Sequence, residues 1–133
     1  MNPKIKSYLA VVAGILTGAV VIAVVEMLSP NNAPANLNVE DKAQMTEYMR
    51  TLPMSAYAIV LLGYFFGALL GGIVANRICR GTPYRPAMVV AVGLCIAGAM
   101  NFFMFPHPVW FIITSSLIYF VGAWLANKVS DKF

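Results

Sequence analysis

Charge is what this chain has least of. Only 11% of its 133 residues are charged and 60% are apolar, against roughly 25% charged in an ordinary soluble domain. A soluble fold of this length leaves much of its area in water and needs a polar surface to meet it, so that class is excluded. Disorder is excluded too, because disordered chains are poor in apolar residues and rich in charge. Cysteine is scarce as well. Cys79 and Cys95 form no Cys-x-x-Cys pair, which leaves no basis for a disulfide framework or a zinc site and reads both as small hydrophobes. The chain has a single histidine and lacks His-Glu-x-x-His, Gly-x-Ser-x-Gly and any glycine-rich loop ending in Lys-Ser or Lys-Thr, the patterns that carry metal, nucleophilic or phosphate chemistry. Ser115 and Ser116 have no base near them in depth and are expected to bond back to helix carbonyls. The expectation is a protein that is not an enzyme and needs no cofactor or metal.

What is present is long uncharged sequence. Residues 7–25 give a run of 19, residues 51–76 one of 26 and residues 86–127 one of 42. A membrane crossing takes about 20 residues. The third run would make about 63 Å of continuous helix, so it must fold back, and Pro106-His107-Pro108 near its middle removes donors and breaks the helix there. Four spans follow, near 7–29, 55–77, 86–105 and 109–128. The first is longer than the ~7–15 residues of a signal-peptide core and reads as a retained helix. The predicted fold is all-α: one domain over 1–133, an integral membrane bundle of four antiparallel transmembrane helices with a short outer amphipathic helix.

Net charge is +4, which at first sight suggests a nucleic-acid partner. Placement argues against it. Lys4 and Lys6 precede the first span, Arg77, Arg80 and Arg85 fill the loop between the second and third, and Lys128 and Lys132 follow the fourth. This scattered collar offers no concentrated phosphate-facing patch with base readers. It does follow the rule that Lys and Arg stay on the cytoplasmic side, which predicts both termini inside. The opposite side holds segment 30–54. Pro30-Asn31-Asn32-Ala33-Pro34 is not regular helix, and Asn38 is expected to cap a helix starting at Val39 with Glu40 and Asp41 in its first turn. Met45, Tyr48, Met49 and Leu52 fall on one stripe, and the helix ends before Pro53. It is expected to lie on the membrane surface or to lid the bundle.

An internal echo runs through the second and fourth spans. Pro53 followed by Tyr64-Phe65-x-Gly67-Ala68 recurs as Pro108 followed by Tyr119-Phe120-x-Gly122-Ala123, at a constant offset of 55. Ala75-Asn76-Arg77 also matches Ala126-Asn127-Lys128, with a shift of four residues, roughly one turn. Two hairpins of the same orientation are implied, a parallel repeat of the kind seen in some transporters. Small residues recur at fourth positions, with the spacing of a glycine zipper: Ala10, Gly14 and Gly18 in the first span, Gly63, Gly67 and Gly71 in the second, Gly93 and Ala97 in the third. Such stripes let helix backbones approach closely in lipid. They are natural partners within one bundle, and the alternative is a self-association face.

Glu26 is the one acid inside a predicted span, and an ionisable residue at membrane depth is a functional hypothesis by default. It lies about 4.5 Å of helix rise below Ser29, close to the outer edge and beside the small-residue stripe. Asn101 continues the Gly93-Ala97 stripe at a similar depth, and His107 follows in the outer turn, level with Tyr57 and Trp110. Glu26, Asn101 and His107 are therefore expected to converge on one outward-facing polar site. The plainer alternative makes them a structural acceptor, interhelical glue and a turn residue. Met27, Met45, Met49, Met54, Met100 and Met104 also map to the outer half, where with His107 they would offer soft ligands to Cu(I) or simply fill gaps.

Several stretches taken together resemble a family of small, uncharacterised bacterial four-span inner-membrane proteins. They are Val25-Glu26-Met27-Leu28, Leu52-Pro53, Gly67 through Ala75, and Pro106-His107-Pro108-Val109-Trp110-Phe111. The resemblance implies an inner-membrane location and carries over nothing about activity. Small multidrug exporters also have four short spans with an acid in the first, but theirs sits mid-membrane. Two functions are carried forward: an accessory or self-associating packing component of a membrane complex, with lipid and a homo-oligomer or larger assembly as partners, and a small carrier built on Glu26, Asn101 and His107.

Overall fold

A computed structural model of the chain describes residues 2–29, 36–38, 40–104 and 106–131. Among them are five helices and no strand: α1 (Pro3–Leu28), α2 (Lys42–Thr51), α3 (Met54–Ile78), α4 (Ala87–Met104) and α5 (Val109–Ser130). All but α2 are long and apolar enough to cross a membrane, which makes the chain a multi-pass membrane protein. The shortest, α4, has 18 residues. It rises about 27 Å, close to the ~30 Å of a hydrocarbon core.

Helix ends differ from expectation where capping chemistry overrides the hydropathy pattern. α1 starts at Pro3, so Lys4 and Lys6 lie inside the helix; Pro3 lacks an N–H that would go unpaired there, and the Asn2 side chain accepts from the Lys4 N–H at 2.9 Å. α5 runs past Lys128 to Ser130. α2 begins at Lys42 rather than Val39, and its cap is Asp41, not Asn38. Asp41 Oδ1 accepts from the N–H groups of Ala43 at 2.9 Å and Gln44 at 3.4 Å, and a full carboxylate charge suits the positive end of a helix better than an amide. Asn38 instead closes a local turn, accepting from Glu40 N–H and donating its own N–H to Gln44 Oε1, each at 3.0 Å. The Pro30–Pro34 run, Val39 and Lys132 lie outside the described residues. The expected stripe is the less exposed face of α2, with Met45 buried and Tyr48, Met49 and the C-cap Leu52 half-buried.

The bundle is arranged inversely to a soluble one. Large apolar side chains face outward in ladders, such as Val12, Leu16 and Val20 on α1 and Leu62, Phe66 and Leu70 on α3, all more than 40% exposed. Small residues face inward, including Ala10, Ala68, Ala75, Ala87, Ala91, Ala123 and Ala126, each fully buried. Lipid removes the hydrophobic gain for burying large groups, so association rests on close backbone contact. α1 and α3 run antiparallel with their glycines interleaved. A Cβ on Gly71 would run into the Gly14 carbonyl oxygen, one on Gly67 would lie 2.9 Å from the Gly18 carbonyl oxygen, and one on Gly63 would press on Val25. Gly14 and Gly18 also meet Val90 and Leu94 of α4, while Gly93 faces the Ile15 side chain.

α3 and α5 lie side by side and run the same way, and here the echo becomes physical. Tyr64 stacks on Tyr119 with ring centroids 5.0 Å apart, and a Cβ on Gly122 would sit 2.8 Å from the Phe65 carbonyl oxygen. Among the described residues α1 and α5 make no close backbone approach, whereas α3 and α4 each approach both of them and one another, so α3 and α4 form the centre with one helix on each flank. At the end where α3 and α5 finish, buried Asn76 ties three helices together. Its Nδ2 donates to Asn127 Oδ1 at 2.8 Å and to Ser130 Oγ at 3.1 Å, and its Oδ1 accepts from the Ala87 N–H at 3.2 Å. That last bond satisfies an orphan donor at the start of α4 from a neighbouring helix. Arg77, Arg80, Arg85 and Lys128 mark this as the basic end; α2 lies at the other.

Candidate functional site

A cavity of about 390 Å³ lies at the α2 end, and Glu26, Asn101 and His107 all line it. Three features of the sequence create it. α1 and α4 run in the same direction and meet around Gly14, Gly18, Val90 and Leu94, but one turn beyond Gly93 the small stripe is exposed at Ala97. The two helices have parted there, leaving Glu26 on one wall and Asn101 on the other. The Pro106–Pro108 turn then carries His107 over the gap. Finally α2 and its C-cap cover one side, α2 contributing Tyr48 and Met49 and the cap Leu52. The Tyr57 hydroxyl donates to the Met49 carbonyl at 2.8 Å and fastens this cover to α3.

The remaining wall is aromatic. Phe111 is buried at its centre, with Tyr57 at 5.2 Å, Tyr64 at 6.1 Å and Phe102 at 6.1 Å between ring centroids. His107 stacks on Phe111 at 5.3 Å and meets Phe102 edge-on at 4.9 Å, so the imidazole is held by rings and not loose in a turn. Trp110 packs edge-on against Tyr57 at 5.5 Å without lining the cavity. Among the described residues Glu26 forms no ion pair. The cavity thus combines one carboxylate, one amide and one imidazole with phenol and phenyl rings. It has the size of a small-ligand site, for which ~300–1,000 Å³ is ordinary.

Sequence reasoning named the polar trio and Tyr57, and a lid over the bundle was one of two placements expected of the outer helix, but Tyr64 and Phe111 were missed. A signal for the first existed: Tyr57, Val60 and Tyr64 recur at i, i+3 and i+7, one face of α3. The methionines do not converge. Met27, Met54, Met100 and Met104 are exposed on the outside of the bundle, and of the six only Met49 lines the cavity. Ser115 and Ser116 both donate to the Ile112 carbonyl, at 3.0 and 2.8 Å, as expected of helix serines. Comparison of the chain with protein families, curated proteins and solved structures finds no match.

Proposed function

We propose that this chain is a small membrane carrier that binds a cationic solute in the cavity at the α2 end. The observation that carries the reading is the joint lining of one cavity by Glu26, Asn101 and His107 with Tyr57, Tyr64 and Phe111. Among the described residues Glu26 has no ion pair; a carboxylate in a partly apolar setting favours a positive partner, and aromatic faces attract cations through their quadrupoles. Asn101 and His107 add polar contacts that orient the solute. In this reading the membrane is a bacterial inner membrane, and the positive-inside rule supports a cytoplasmic basic end with the cavity turned outward. The alternative, a packing component of a larger assembly, draws no support from the glycines, because Gly14, Gly18, Gly63, Gly67, Gly71 and Gly93 meet neighbours within the bundle. No step of this role requires the chain to be an enzyme.

Uptake of labelled tetraethylammonium into proteoliposomes tests the proposal, since this ion presents only charge and apolar surface. Saturable uptake is expected, reduced at least about tenfold by Glu26→Gln, the equivalent of ~1.4 kcal/mol, with helix content by circular dichroism unchanged. Uptake no greater than in protein-free vesicles, or equal in the variant, overturns it. A defined oligomer or co-purifying partner in mild detergent, together with absent uptake, returns the packing role.

A further inference from the structure

We infer that a second hollow, at the basic end, is a binding site for a phosphate group. It has a volume of about 190 Å³ and is framed by Arg77, Arg80 and Arg85, with Thr82 on its rim and Asn76 and Ser130 at its base. Its construction is local. Arg77 lies in the last turn of α3 and Arg80 in the turn just past its end, and both line the hollow. Gly81 takes φ +85°, a conformation open to glycine, and turns the chain back. Thr82 then pins the turn, donating its hydroxyl to the Cys79 carbonyl at 2.7 Å and accepting from the Tyr84 N–H at 3.3 Å. Arg85 is thereby returned to the same hollow just before α4. The base is rigid because the Asn76 amide is fully bonded to Asn127, Ser130 and Ala87.

The charge is one-sided. Among the described residues Asp131 is the one acid at this end, and it sits 3.3 Å from Arg85 in a pair whose two side chains are 51% and 66% exposed. Such a pair is weak and yields readily to a stronger anion. Residue identity supports more than a topology signal, which needs only positive charge. Among the described residues the cations elsewhere at this end are lysines, Lys4, Lys6 and Lys128, whereas all three in the hollow are arginines, whose planar fork matches phosphate oxygens two at a time. Depth favours a lipid as the source. The Asn76–Asn127 bond sets Arg77 level with Lys128, whose Nζ lies 5.3 Å from the Trp124 ring centroid. Tryptophan and lysine at a helix end mark the membrane interface, where anionic headgroups attract basic clusters.

The test measures thermal unfolding of the purified protein in neutral detergent, titrated with phosphatidylglycerol, phosphatidylcholine or inorganic phosphate. Phosphatidylglycerol is expected to raise the unfolding temperature and phosphatidylcholine to leave it unchanged. Arg77→Gln/Arg80→Gln should weaken the apparent affinity about tenfold or more. Lys4→Gln/Lys6→Gln removes the same charge from the same end outside the hollow and should retain wild-type affinity. Asp131→Asn, which frees Arg85, should tighten binding. An equal response to inorganic phosphate supports the site with a soluble source; no response to it supports a lipid source. If the double arginine variant does not fold, Arg80→Gln alone carries the comparison. Unchanged affinity in the arginine variants, or an equal loss in the lysine variant, overturns the proposal.

Discussion

At the scale of single residues, Asn76 illustrates how much a polar side chain does once lipid has removed competing water. Its amide uses both donors and its oxygen to join α3, α4 and α5, and it is almost fully buried. Asn76→Ala removes all three bonds and leaves the Ala87 N–H without its acceptor. A net hydrogen bond contributes about 1 kcal/mol and an abandoned buried group costs ~1–3 kcal/mol, so destabilisation of about 2–4 kcal/mol is expected in detergent-titrated unfolding. Asn127→Ala removes only one of the three bonds and should cost less. Similar small losses in both variants would show that the network contributes little. The echo Ala75-Asn76 and Ala126-Asn127 was visible in the sequence, yet its meaning was not. A repeated asparagine says nothing of its partner until two parallel helices set the pair face to face.

At the scale of the element, the glycine rows decide how close α1 and α3 come. Gly71→Ala places a methyl group against the Gly14 carbonyl oxygen, main chain that cannot step aside, whereas Gly93→Ala meets only the end of the Ile15 side chain. Overpacking costs roughly 1–3 kcal/mol, and replacing a helical glycine by alanine returns about 1 kcal/mol of helix propensity. Gly71→Ala is therefore expected to be net destabilising by about 1–2 kcal/mol and Gly93→Ala close to neutral, both read from unfolding in mixed micelles. The reverse order would mean that α1 and α3 are not held by this contact. The existence and number of helices were legible because each span exceeds the length of a soluble core helix without charge. Their ends were less so: α2 starts at Lys42 because Asp41 offers a carboxylate to two N–H groups, a choice between nearby capping residues that hydropathy does not register.

At the scale of the whole molecule, the two ends of the bundle have opposite characters, one basic and one holding the polar and aromatic cavity. Depth along the helices is readable from residue spacing, which is why the sequence alone groups Glu26, Asn101 and His107. Lateral position is not, because it depends on α1 and α4 parting beyond Gly93 and on α2 folding back as a cover, both products of packing between distant segments. The same end-to-end asymmetry yields a prediction of orientation. With Cys79 and Cys95 replaced by alanine, a single cysteine is placed either at Glu47→Cys on α2 or at Tyr84→Cys in the α3–α4 loop; both positions are exposed. Under the proposed orientation a membrane-impermeant maleimide labels Glu47→Cys in intact spheroplasts and labels Tyr84→Cys only after the membrane is opened. Lys and Arg near the ends of spans set this outcome, so Arg77→Glu/Arg80→Glu/Arg85→Glu should raise Tyr84→Cys labelling in unopened spheroplasts. Labelling of Tyr84→Cys in intact spheroplasts of the otherwise unaltered protein would reverse the orientation and turn the carrier cavity toward the cytoplasm.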